Sequence, residues 1–200
     1  MSSFKRAIDP VNLAVTLDTA KNHLKVEDAI TEDDTLITTL INAAIDKVEA
    51  AGVALITQTW DLVMDQWPGD EIWIPRAPLQ SVAGIYYTPD GGAEAELDAA
   101  NYFVDTISEP GRVVLQRSGS WPSTTLQRAN GIRVRFVAGF GDDPADVPSR
   151  YTQAILLMVG HWYENREQVV VTGAVPKEIP LGAQMLIRLD GTGTKGRELD

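Results

Sequence analysis

The chain has 200 residues, enough for one domain or one domain with a large insertion, and a composition ordinary for a globular protein. Its 28 acidic and 17 basic residues give a net charge of −11, which argues against a protein whose main task is gripping nucleic acid, because phosphate binding needs clustered Lys and Arg. No cysteine is present, which excludes disulfides, thiolate zinc sites and a cysteine nucleophile. The start, MSSFKRAIDPVNL, lacks the apolar run of a signal peptide, and no stretch approaches a membrane span, so a soluble protein made in the cytoplasm is expected.

Residues 16–25 read as a short helix, with Thr16 as its cap and Leu17, Ala20 and Leu24 on one face. Thr31-Glu32-Asp33-Asp34 is a close variant of a capping box and opens an amphipathic helix. Its stripe is Leu36, Ile37, Leu40, Ile41, Ala44, Ile45 and Val48, and Gly52 is the expected stop. The period then changes. Trp60, Leu62 and Met64 alternate with Asp61, Val63 and Asp65, which is strand spacing. Further short strands are expected around Ile72 and Ile74, over 81–88, 95–97, 102–106 and 112–116, and over 132–138, with a turn at Pro89-Asp90-Gly91-Gly92. The last strand has a buried face of Ile132, Val134, Phe136 and Ala138 and a wet face that includes Arg133 and Arg135. About seven short strands at regular spacing suggest an antiparallel sandwich or barrel.

A second long helix follows, over 148–166, with Asp146 as its expected cap and Pro148 in its first turn. Val147, Tyr151, Ala154, Ile155, Met158 and Trp162 form one broad stripe, and Leu156, Leu157 and Val159 make the other side apolar too. Such a helix needs neighbours on several sides. The two N-terminal helices supply some, and the remaining flank, with Tyr151, Leu156, Val159, Trp162, Tyr163 and Arg166, is the candidate subunit interface. The expected fold is therefore α+β: a small helical core of three main helices (1–53 plus 142–168), an inserted antiparallel β-module (54–141), and an extended C-terminal arm (169–200). The arm has too little apolar surface to fold alone. Its apolar segment docks either on its own domain or on a partner.

Chemistry finds little support. His161 and Glu164 share a helix face and raise the question of a metal, but no third ligand lies nearby, and a half-buried structural histidine is the plainer reading. Asp61, Asp65, Asp70 and Glu71 beside Trp60, Trp67 and Trp73 have the residue types of a carbohydrate site or glycoside hydrolase. The competing view makes these acids the polar members of an alternating strand and the tryptophans core. Asp142, Asp143 and Asp146 do not match a calcium loop. There is no Gly-rich phosphate loop and no nucleophile elbow. Arg112, Arg117, Arg128, Arg133 and Arg135 form the only basic region, read as a solvated sheet face, or else as a contact with an acidic neighbour or with DNA backbone.

Several stretches in order resemble one family: VTLDTAKNHL from Val15, the capped helix ending near Glu49, IPRAPLQSV from Ile74, the turn at Pro89-Asp90-Gly91, VRFVAGFG from Val134, the Val147-Pro148 helix start, and HWYENRE from His161. Together they are similar to the head–tail connector (adaptor, or head-completion) proteins of long-tailed phages, prophages and gene transfer agents. The resemblance spans residues 13–189. It implies a virion structural protein of the neck, not an enzyme, with no cofactor. It implies a homo-oligomeric ring of about twelve subunits that binds the portal protein, receives a stopper or tail-completion protein, and lets DNA pass without sequence-specific contact. A stopper or tail-terminator is a further alternative, but those are usually β-rich without flanking helices. The resemblance also makes the arm a portal-docking element through Val169, Val170, Val171, Ile179, Leu181, Met185, Leu186, Ile187, Arg188 and Leu189.

Overall fold

The computed structural model describes residues 2–165 and 180–188. Strand β1 (Ser2–Ile8) is followed by helices α1 (Leu17–Leu24) and α2 (Asp34–Glu49). Seven strands come next: β2 (Gln58–Met64), β3 (Glu71–Trp73), β4 (Leu79–Tyr87), β5 (Ala95–Glu96), β6 (Tyr102–Asp105), β7 (Arg112–Leu115) and β8 (Ile132–Ala138). Helices α3 (Ser149–Glu164) and α4 (Leu181–Arg188) complete the described chain. The class is α+β, as expected, and no described helix is long and apolar enough to cross a membrane.

The helices follow their sequence signals except at two starts. Thr16 caps α1, its Oγ1 accepting from the Thr19 N–H at 3.2 Å. Ile37, Ile41, Ala44 and Val48 of α2 are fully buried, and Gly52 sits at φ 93° just beyond its end. The capping box expected at Thr31–Asp34 does not form, because both acids are drawn elsewhere. Asp33 holds the cap position and accepts the Tyr163 hydroxyl at 2.6 Å. Asp34 pairs with the ammonium of buried Lys21 at 2.9 Å. Lys21 also donates to the carbonyls of Asp28 and Ile30, which ties down the loop between α1 and α2. At α3, Pro148 stands at the cap position rather than in the first turn. Asp146 does not cap this helix. It closes a single 3-10 turn at Pro144–Asp146 by accepting from the Asp143 N–H at 3.1 Å. The break follows from Val147, which lies before a proline and is extended, so the helix starts only after it.

The eight strands form two wholly antiparallel sheets, ordered β1-β2-β8-β4-β5 and β3-β7-β6. Sequence reading assigns no element to Ser2–Ile8 and groups it with the helices, whereas the structure adds it to the sheet beside β2. Trp60, Leu62, Ile85, Val134 and Phe136 of the larger sheet meet Ile72 and Val113 of the smaller one in a shared core. The result is a sandwich whose sheets do not close into a barrel.

A second core lies among the helices, where Ile37, Ile41 and Val48 of α2 pack with Ile155, Met158 and Val159 of α3 and Ala20 of α1. Besides the link from β1 to α1 at residues 9–16, two short crossings join the halves, at residues 53–57 and 139–141. They run side by side: Phe140 N–H donates to the Leu55 carbonyl and Thr57 N–H to the Gly141 carbonyl, at 3.2 and 2.9 Å. Gly139 is required here. Its φ is 143°, and a Cβ would sit 2.5 Å from the Thr57 nitrogen.

Candidate assembly surfaces

The apolar girth of α3 is covered within the chain. Tyr151, Leu156 and Val159, expected at a subunit interface, are 2 %, 8 % and 0 % exposed, so they leave almost no side-chain surface for a neighbour. Trp162 and Tyr163 are half-buried against the same core, with the Tyr163 hydroxyl committed to Asp33. Arg166 lies outside the described residues. The flank that α1 and α2 leave open is taken by α4, whose Ala183 is fully buried and whose Leu186 and Ile187 are partly buried on the helical core. Among the expected arm residues, Leu181, Met185, Leu186, Ile187 and Arg188 therefore fall on a helix packed against α3, with Met185 exposed. Val169, Val170, Val171, Ile179 and Leu189 lie outside the described residues. His161 faces Asn165, whose amide donates to the His161 carbonyl, and among the described residues no group of three acids or histidines is placed to hold a metal.

The outer face of the larger sheet carries the arginines, as the alternation of β8 predicts, but their charge is answered locally. The ladder sets Lys5, Asp61 and Arg135 in one row across β1, β2 and β8. Arg135 grips Asp61 through two hydrogen bonds, at 2.8 and 2.9 Å, and Arg133 grips Glu94 in the same two-pronged way. The Arg135 hydrogen bond holds the Asp61 carboxyl below the usual carboxylate range, and burial offsets this only in part. Asp61 is thus a covered counter-ion on the sheet's outer face rather than a free acid. Asp65 accepts from the Asn130 N–H, and Glu71 from Arg112. The tryptophans are spent on packing too: Trp60 is core, and Trp67 and Trp121 stack at 4.7 Å between ring centroids. Asp70 and Trp73 stay exposed, but the other acids and rings are engaged with the fold, and the structure lends a carbohydrate site no support.

The residue that sequence reading misses is Glu49, the last of α2. It is 4 % exposed and sits at the seam between the two halves. One carboxylate oxygen accepts from the Leu55 N–H and from the Gln58 amide; the other accepts from Arg6 of β1 at 2.7 Å. Arg76 donates to the backbone carbonyls of Glu49 and Val53, and its guanidinium lies over the Trp60 and Phe4 rings. The helical half, β1 and the body of the sandwich are thereby tied at one buried charge. The only sequence signal was an acid at the C-terminal end of a helix, where the dipole disfavours it.

Comparison with known proteins agrees with this architecture. Residues 14–88 match the family described as phage gp6-like head–tail connector proteins. Among curated proteins, none matches the chain by sequence. Among solved structures, a chain in the neck of an empty gene transfer agent particle, treated with C6 symmetry, superposes with a TM-score of 0.78 at 22 % identity, over 94 % of each chain. A chain of the native gene transfer agent virion gives 0.75 at 22 % identity, over 93 % of each. One from the neck of the native particle, treated with C12 symmetry, gives 0.73 at 23 %, over 94 % of this chain and 93 % of that one. The resemblance read from the sequence is thus borne out: over 14–88 by the family, and over nearly the whole length by the fold.

Proposed function

We propose that this chain is a head–tail connector subunit: a structural protein of a phage or gene transfer agent particle that forms a ring in the neck, extends the DNA channel below the portal and links head to tail. The observation that carries this reading is the fold shared with a gene transfer agent neck chain from end to end, at a TM-score of 0.78 over 94 % of both chains. The family match on 14–88 supports it independently. The cyclic symmetry of the similar necks supports a closed ring of about twelve copies, head to tail. The net charge of −11 suits a conduit, since attractive phosphate contacts would retain the DNA that has to leave. The role involves no catalysis.

The portal contact is assigned to the segment after α3, including exposed Met185. Because α4 covers α3, cutting the chain before it would bare the helical core, so a point substitution is the cleaner probe. Deleting the gene should leave filled heads without tails, and supplying the protein should restore joining. Tailed particles from the deletion strain would overturn the function. Met185→Glu should fold normally yet join heads poorly; normal joining would move the portal contact elsewhere.

A further inference from the structure

The seam between the two halves defines two far ends. In the helical half, α2 finishes at the seam with Glu49, and Tyr163 near the end of α3 bonds Asp33 at the start of α2. The end of α3 therefore lies away from the seam. In the sandwich, Gln58, Leu79 and Ala138 stand beside the crossings, and Met64, Tyr87 and Ile132 share a row at the other end. Beyond that row three loops gather, at residues 65–70, 88–94 and 116–131.

The last is long and has no helix or strand of its own, which is uncommon within a compact domain, and such loops carry function more often than packing. It is held in one shape. Trp121 stacks on Trp67 and donates to the Gly69 carbonyl at 2.6 Å. The Thr125 carbonyl accepts from the Asp90 N–H at 2.9 Å, and the Gln127 N–H donates to the Thr88 carbonyl at 3.0 Å. Ser118, Ser120, Ser123 and Thr124 are exposed along it.

Its charge is unmatched. Residues 110–141 contain no Asp or Glu. Arg112, Arg133 and Arg135 of that stretch take their acids from other elements. Arg117 and Arg128, both exposed on the loop, have no ion pair among the described residues. Asp70 and Asp90 are exposed on the neighbouring loops, so this end is mixed in sign rather than basic. Two arginines beside two acids hold a polyanion poorly. Arginine, tryptophan and small hydroxyl residues on ordered loops at one end of a β-sandwich have instead the make-up of a protein-binding surface.

We infer that this loop end of the sandwich docks the tail-side protein of the neck, which presents carboxylates to Arg117 and Arg128 around a contact with the half-buried Trp121. The inference rests on the connector reading above, which requires two different partners for one chain. The portal contact proposed there lies on the helical half, with Met185 on α4. The seam stands between the two surfaces, so a subunit meets head and tail through different halves and neither contact competes with the other.

Heads from a strain lacking the gene, supplied with the Arg117→Glu/Arg128→Glu protein, should carry it in their necks at the wild-type level and join tails at least about tenfold less often. Arg117→Lys/Arg128→Lys should keep most of the joining, because the charge is retained. Circular dichroism of each variant confirms folding. The chain has no native cysteine, so Thr124→Cys capped with a bulky polyethylene-glycol maleimide gives a second probe that leaves both arginines in place. It should enter necks and block tails. Normal tail joining by the double-Glu protein overturns the assignment and leaves the connector role standing; if DNA release is altered as well, the loop serves the DNA instead. Exclusion of both proteins from necks moves the loop into the ring or portal contact and likewise overturns the assignment. Wild-type protein that never enters necks overturns the connector role and the inference together.

Discussion

The helical half and the sandwich half solve the same problem with opposite outcomes. Each has a dry core, but the helices close theirs: α1, α2 and α4 cover α3 until its buried residues have no outside. Five strands over three cannot close, and the sandwich keeps four strand edges and the exposed Phe4, Trp73, Phe103 and Ile107. It also holds several ion pairs among the described residues, including Asp61 with Arg135, Glu94 with Arg133, and Arg112 with Asp105 and Glu71. The lesson is that the more apolar element in sequence, α3, need not be the sociable one. Capacity for assembly follows what the chain leaves uncovered.

That contrast can be broken at three points. The largest effect is expected from emptying the two cores. Phe136→Ala and Ile155→Ala should each cost about 3–4 kcal/mol, read by denaturant unfolding. Both variants should still unfold in one transition, because the seam couples the halves; separate transitions would show two independent units. A slightly smaller cost, about 3 kcal/mol, is expected for Glu49→Ala, which strands Arg6, the Gln58 amide and the Leu55 N–H. This variant alone should split the calorimetric transition in two, and an unsplit transition would deny the seam its coupling role. The smallest effect belongs to Asp61→Asn, about 2 kcal/mol at neutral pH, since its arginine partners remain partly hydrated. The folded Asp61 pKa is depressed, so its stabilisation is present above the unfolded carboxylate value and fades as pH falls through and below about 4. The gap between wild type and Asp61→Asn should therefore narrow on acidification, and a gap that stays constant down to pH 2 would dismiss the ion pair as its source.

What was legible in the sequence was local. The Thr16 cap, the Ile37–Ile41–Ala44–Val48 stripe and the alternation in β2 and β8 all lie within a few residues of the partner that explains them. What was hidden depended on distant partners. Strand β1 puts Arg6 on the same inner face as Phe4, which spoils the alternation until Glu49, forty-three residues on, supplies the counter-ion. Asp34 looks like a capping acid until Lys21 is brought beside it. The girth of α3 announces that it needs several neighbours, but not that α4 of the same chain is one of them. The exposure of Phe4 was not readable at all, because what covers an edge strand depends on how many strands lie opposite.

The insertion between α2 and α3 also has a consequence for the newborn chain. The partner of α2 begins at Ser149, a hundred residues after α2 ends at Glu49. At ordinary elongation rates the α2 stripe therefore leaves the ribosome on the order of 10 s before α3 exists to cover it. Strand β1 waits as well, since its neighbour β2 gains its other partner, β8, only at Ile132. Both halves thus complete only after Ile132 has been made, and almost together. A long-exposed Ile37–Ile41 surface is a natural client for a chaperone, so yield in cells should respond to chaperone supply more than the stability of the finished fold would suggest.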